Sequence, residues 1–257
     1  YDDENSQKFQ ALGKRTLEEA TKMASAVDVR MLTQSRLATN ITNGIIHAFK
    51  EYDASEIIMG LHEKKTDGDK FWGIFTPDLV NQLNRQIILC RCNRPLNTLR
   101  RIVVAVPSRV EFEQGFYRWI ERLARLAENL SCRIIFHGRI ESTSLINEYI
   151  RNQHPGVRAE YVLMEHWKEF TQLAQQMSSD HMLVVISARQ GTVSYKPVFE
   201  RLPLELYRHY HEHNLMVVFP EQNGQSPEDM TFTAPQHHSV DSAYSSIVNW
   251  VMKKIDK

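Results

Sequence analysis

Arg101-Ile102-Val103-Val104-Ala105-Val106 decides the reading of this chain, and Pro107 ends the run. A short unbroken apolar run closed by a breaker reads as a strand buried on both faces. Phe112 to Leu130 follows with Phe116, Trp119, Ile120, Leu123, Leu126, Ala127 and Leu130 at helical spacing, which predicts an amphipathic helix. Cys132–Phe136 reads as a strand, Ser144–Asn152 as a short helix stopped by Pro155-Gly156, and Ala159–Met164 as a strand. Trp167–Met177 reads as a helix, Met182–Ile186 as a buried strand, Leu204–His213 as a helix and Leu215–Phe219 as the closing strand. Strands alternating with helices predict an α/β fold with a doubly wound parallel sheet. Right-handed crossovers place helices on both faces.

Upstream of a break at Asn93-Arg94-Pro95-Leu96-Asn97, the back half of that order repeats. Lys8–Ala24 reads as a helix, Val27–Leu32 as a strand and Ile41–Tyr52 as a helix. A strand ending at Gly60, a helix from Pro77 and a strand at Gln86–Cys90 complete it. Aligned on the second part, the first lacks a β–α–β start like that of Arg101–Ser144. The missing strands are expected upstream in a parent protein or from a partner chain, or were cut away, because an incomplete sheet leaves an edge bare. The expected organisation is an N-terminally incomplete domain over residues 1–95, a second domain over 96–221, and a linker with a C-terminal helix over 222–257.

Composition narrows the function classes. Lys plus Arg and Asp plus Glu are 31 each in 257 residues, which removes the electrostatic case for nucleic acid or an anionic membrane surface. Hydrophobic residues make up 42% and charged residues 24%, the profile of a globular chain without a membrane-spanning run. Three cysteines make no disulfide framework. The opening Tyr1-Asp2-Asp3-Glu4 has no initiator Met and no signal peptide, as expected of a processed chain or a piece of a longer one.

The chemistry-bearing stretch is Ala54–Cys92. Gly60 ends a strand, where glycine lets the backbone turn and approach an anion. Thr76 as N-cap and Pro77 at the first helical position predict a helix start, whose free N–H groups favour anions. Gly60, two residues, Glu63, nine residues, Gly73 and Ile74 resemble the phosphate loop of universal stress proteins, which reads glycine, two residues, glycine, nine residues, glycine, then Ser or Thr. Glu63 puts a carboxylate where the family has glycine, and Ile74 removes the hydroxyl. The resemblance implies a Rossmann-like universal stress protein fold (adenine nucleotide alpha hydrolase-like) in tandem. It also implies a degenerate nucleotide site at Gly60, Glu63, Gly73 and Thr76, with ATP or AMP as the cofactor class.

In the second part, Val106-Pro107-Ser108 stands where the family ends its first strand in an adenine-contacting aspartate. Ser187-Ala188-Arg189-Gln190 carries none of the family's loop glycines, Gly191 sits one residue late, and Glu200 follows. Arg189, Lys196 and Arg201 are candidate anion contacts through side chains instead. The style of the halves resembles the C-terminal cytosolic region of bacterial monovalent cation/proton (sodium/hydrogen) antiporters. That resemblance implies a non-catalytic regulatory module on the cytoplasmic side of the inner membrane, with the transmembrane antiporter domain of the same polypeptide as partner. The rival expectation is a soluble tandem stress protein binding ATP or AMP. A nucleotide hydrolase stands last, since no metal-carboxylate or general-base set is visible.

Two other features stand out. His209, His211 and His213 crowd a helix end, where a metal, a pH response or a helix-dipole contact would each account for them. Ser187 has no Gly-x-Ser-x-Gly setting, and no nucleophile–base pair stands out. The strands Gln86–Cys90 and Leu215–Phe219 are expected to pair at their edges, within the chain or across a homodimer.

Overall fold

The computed structural model describes residues 3–36, 38–61 and 71–222. The chain divides into two compact units, Tyr1–Glu51 and Tyr52–Lys257. The first holds helices α1 (Asp3–Ala26) and α2 (Ile41–Glu51). Thr42, Ile46 and Phe49 on one face of α2 are buried. Val27–Leu32 is irregular, and Val27, Val29 and Leu32 are 70%, 57% and 74% exposed. The expected strand fails because β-propensity needs a ladder partner, and no strand pairs with this segment among the described residues.

The second unit is built on one seven-stranded sheet. Its strands are β1 (Glu56–Gly60), β2 (Gln86–Arg91), β3 (Arg101–Ala105), β4 (Arg133–Gly138), β5 (Ala159–Leu163), β6 (His181–Ile186) and β7 (Asn214–Phe219). The spatial order is β1-β2-β7-β6-β3-β4-β5. All neighbours are parallel except β2 and β7, which run antiparallel with Leu89 opposite Val217. The edge pairing expected of these two runs therefore forms within the chain. Leu96–Thr98, between β2 and β3, is a single 3-10 turn, and the strands on both sides of it belong to the one sheet.

The helices are α3 (Thr76–Gln82), α4 (Phe116–Asn129), α5 (Ile140–Gln153) and α6 (Leu202–Tyr210). Right-handed crossovers put α4 and α5, which touch, on one face of the sheet. The 3-10 segment Trp167–Gln176, expected as an α-helix, touches α6 on the other face. Period-two alternation divides the core accordingly. Ile102, Val104, Ile134, Phe136 and Val184 pack with Phe116, Trp119, Ile120, Leu123 and Ile146 in one cluster. Each such fully buried side chain contributes about 1.5–3 kcal/mol. Phe170, Leu173, Leu206 and Tyr210 are buried with the other helical layer, where the Phe170 and Tyr210 rings lie 5.1 Å apart.

Candidate functional site

The chain leaves β3 toward β4 on one side, while β6 lies on its other side. That divergence is a topological switch point, where open α/β sheets hold ligands beyond the carboxyl ends of their strands. Val106-Pro107-Ser108 leaves β3 there, and Ser187-Ala188-Arg189 leaves β6. Here the space beside them is occupied by the protein's own polar side chains.

Glu113, from the segment after β3, is 6% exposed. Its Oε1 accepts the Ser194 N–H at 2.9 Å and the Ser194 hydroxyl at 2.6 Å, and its Oε2 accepts Gln222 Nε2–H at 3.1 Å. A backbone N–H and a hydroxyl in the loop after a strand are donors an anionic ligand would use, and an internal carboxylate takes both.

Arg189, expected as an anion contact, has a different role. It is 2% exposed. Its Nε donates to the Val80 carbonyl at 3.1 Å, and its Nη2 donates to the Leu83 and Arg85 carbonyls at 3.1 and 2.7 Å. Its Nη1 donates to the Pro220 carbonyl. With four backbone acceptors on a fork of five N–H donors, the guanidinium clamps the segments around α3 and β7 together. Burial pulls its pKa down to about 10, against the pull of Glu113 and Glu221.

Glu221 lies on the same seam, with Arg85 Nη1 at 3.3 Å and Arg118 Nε at 2.8 Å. Burial pushes its carboxyl up, opposed by Arg118, Arg85 and Arg189 in that order. Gly115 makes the seam possible. Its N–H donates to the Glu221 carbonyl at 2.9 Å, and a Cβ there would lie 2.5 Å from Glu221 N. This contact sets the start of α4 at Phe116. The helix expected from Phe112 is thereby split into a 3-10 turn, Val110–Phe112, and α4 itself.

The first-half loop is less coherent than its spacing implied. Gly60 ends β1 beside Cys90, and a Cβ there would meet nothing within 4 Å. Glu63, with Lys64, Lys65 and Lys70, lies outside the described residues. Gly73 has φ 78°, a conformation that favours glycine. Trp72 beside it meets the Phe219 ring at 5.9 Å, and Phe219 pairs with Ile87. The two anchor points on β2, Cys90 and Ile87, are about 10 Å apart along the strand. Thr76 is not the N-cap: Phe75 holds that position, and Thr76 is the first helical residue, 4% exposed, in a helix of 7 residues.

Arg201 is exposed at the start of α6. Lys196 has other company. Burial lowers its pKa, and Arg139 and Arg109 lower it further. These cations follow β6, β4 and β3, and Arg139 is also ion-paired with Glu165 at 3.5 Å. Arg109 has φ 67°. Only Lys196 of the three is visible as a candidate in the sequence. Their nearness needs three loops to converge, and no local pattern records that.

The histidine cluster resolves into separate contacts. His209 Nε2 lies 3.4 Å from Glu205 and His211 Nε2 lies 3.7 Å from Glu212. Burial lowers the pKa of His213. No group of three His, Cys, Asp or Glu side chains suited to a metal occurs among the described residues. His237-His238 and the helix expected at Ser242–Lys254 lie outside them. No helix among the described residues is long and apolar enough to cross a membrane.

A different histidine is the more strongly engaged. His154, 8% exposed after α5, places Nε2 2.6 Å from Glu121 Oε2 and Nδ1 3.2 Å from Glu128 Oε1. The Tyr149 hydroxyl also donates to Glu121 Oε2 at 2.9 Å.

No family model matches the sequence, and no curated protein is similar to it. Solved structures are similar in fold. A universal stress protein from Archaeoglobus fulgidus DSM 4304 superimposes with a TM-score of 0.55 at 12% identity, over 86% of this chain and 82% of that one. A putative universal stress protein from Pseudomonas aeruginosa UCBPP-PA14 gives 0.49 at 14% identity, over 81% and 78%. A universal stress protein crystallised with cAMP gives 0.29 at 11% identity, over 46% of this chain and 95% of that one. The seven-stranded, mostly parallel sheet is that of the universal stress protein fold.

Proposed function

We propose that this chain, built on the universal stress protein fold, is a non-catalytic regulatory module of a monovalent cation/proton antiporter, acting on the cytoplasmic side. One observation carries the non-catalytic reading. The switch-point donors that would serve a ligand are held by Glu113, and Arg189 is spent on four backbone carbonyls. Donors and a guanidinium already paired inside the protein are not open to a ligand without breaking buried charge contacts, which is costly. The antiporter attachment is the finer part of the proposal and rests on the eroded loops at Gly60–Gly73 and Ser187–Gln190.

Two measurements test it. Fractionation of source cells with an antibody to this chain is expected to find it in membranes, in a polypeptide well above 30.0 kDa. Calorimetric titration with ATP and AMP is expected to give no heat at the second half. A soluble band near 30.0 kDa would refute the attachment.

The rival reading is a nucleotide sensor of the ATP or AMP class. The nearness of Arg109 and Arg139, the latter paired with Glu165, to Lys196 favours it, since converging cations suit a phosphate. Saturable binding lost in Arg109→Ala and Lys196→Ala, but kept in Arg201→Ala, would establish that reading and place the ligand outside the sealed crevice.

A further inference from the structure

His154 closes α5, and its imidazole stands between two carboxylates of α4. Both ring nitrogens are used: Nε2 lies 2.6 Å from Glu121 Oε2, and Nδ1 lies 3.2 Å from Glu128 Oε1. An ionised carboxylate only accepts, so both nitrogens carry a proton in this geometry and the ring is an imidazolium. The carboxyl end of α5 favours the same charge. The residue is 8% exposed, and the two carboxylates outweigh that burial.

The other groups around the ring do not replace its proton. From α4, Arg125 is paired with Glu121 Oε1 at 2.5 Å. From α5, the Tyr149 hydroxyl donates to Glu121 Oε2 at 2.9 Å. Burial, helped by Glu121, pushes Tyr149 up to about 12, so it keeps its proton near neutrality. Arg151 of α5 acts on Tyr161 of β5, and Arg158 donates to the Ser131 carbonyl at 2.8 Å. A neutral imidazole has a single N–H. It keeps the shorter contact, Nε2–H to Glu121, and turns the Nδ1 lone pair on Glu128. Glu128 is the more exposed carboxylate, with 38% of its side chain accessible against 26% for Glu121, so water can take its place.

The contact holds an arm made of α5, the turn at Pro155-Gly156 and β5. Among the described strands β5 pairs with β4 alone, and Val157 in the arm packs on the core beneath α4. We propose that His154 is a pH-sensitive switch: on losing its Nδ1 proton it repels Glu128 and frees the end of α5 and the start of β5 from α4. The switch closes at lower pH and opens as pH rises. It requires neither an antiporter nor a nucleotide, so it does not depend on the regulatory reading.

NMR amide exchange of His154 and Val157, whose N–H groups donate to the Ile150 and His154 carbonyls, tests it. Protection factors are compared from about pH 6 to about pH 9, since they cancel the base catalysis of exchange itself. Both are expected to fall at least about threefold as pH rises, while that of Val184, buried in the sheet, holds. Glu128→Gln should abolish the fall, because an amide accepts from the charged ring and donates to the neutral one. Glu128→Ala should show the lower protection throughout. No fall in the unaltered protein overturns the proposal. An equal fall in Glu128→Gln overturns it too, as does an equal fall at Val184, since the loosening would then be global.

Discussion

Gly115 and Glu221 meet backbone to backbone: the Gly115 N–H donates to the Glu221 carbonyl at 2.9 Å, and no Cβ fits between them. This contact brings the segment after β7 against the start of α4. It holds Glu221 within reach of Arg85 and Arg118, and Gln222 within reach of Glu113. The sealed switch point depends on it.

Gly115→Ala is therefore expected to destabilise the protein by about 1–3 kcal/mol, because the atoms in the way are backbone. Gly60→Ala should change stability by less than about 0.5 kcal/mol, since its Cβ meets open space. Urea unfolding of both variants checks the contrast. Equal losses would mean that Gly60 carries a constraint absent from this structure.

Arg189→Lys should cost about 3 kcal/mol or more, because an ammonium cannot reach four carbonyls and leaves Glu113 and Glu221 less compensated. Arg201→Lys, at an exposed position, should be near neutral. Chemical denaturation of the pair distinguishes a clamp from a surface cation.

His154 gives stability a pH dependence of defined sign. Burial pulls its pKa down, but the hydrogen bonds to Glu121 and Glu128 outweigh it, and the net direction is up from 6.5. Its contribution is fully present below 6.5 and is lost as pH rises through the raised folded value. Glu121 is held down to about 2, chiefly by its hydrogen bond to His154, so its contribution is present above 4.5 and lost as pH falls toward 2. The stability difference between the protein and His154→Gln should be largest between pH 4.5 and 6.5 and shrink by pH 9. Melting curves across that range check it; a flat difference would mean that the imidazole is neutral throughout.

Burial pushes the Cys90 thiol up to about 12, with Cys92 adding to the rise. Cys92 is exposed and Cys132 buried, and all three are free. Iodoacetamide near neutral pH should label Cys92 first, as mass spectrometry would show, because the thiolate is the nucleophile and access sets the order. Preferential labelling of Cys132 would mean that the α4–β4 turn opens.

The strands were legible because an unbroken apolar run such as Met182–Ile186 or Ile102–Val106 has few other places to go than a buried parallel sheet. The same logic misled at Val27–Leu32, where the pattern was right but the ladder neighbour that makes a strand was missing. The candidate site was less legible. Arg189 looked like an anion contact because its loop is basic, and only the folded chain brings four carbonyls to it, three of them from residues over a hundred positions away in sequence. Glu113 and Gly115 lack any motif, since their partners Ser194, Glu221 and Gln222 arrive from other loops. Gly73 has a left-handed φ of 78°, a backbone requirement that the loop spacing does not reveal.

The antiparallel pairing of β2 with β7 has a directional consequence. Reversing one ladder against the other turns the carboxyl ends of β1 and β6 toward opposite poles of the sheet. A molecule docking at one pole is out of reach of anything docking at the other, so neither competes for the same space. The two poles are joined only across the hydrogen-bonded seam from Ile87 to Arg91 among the described strands.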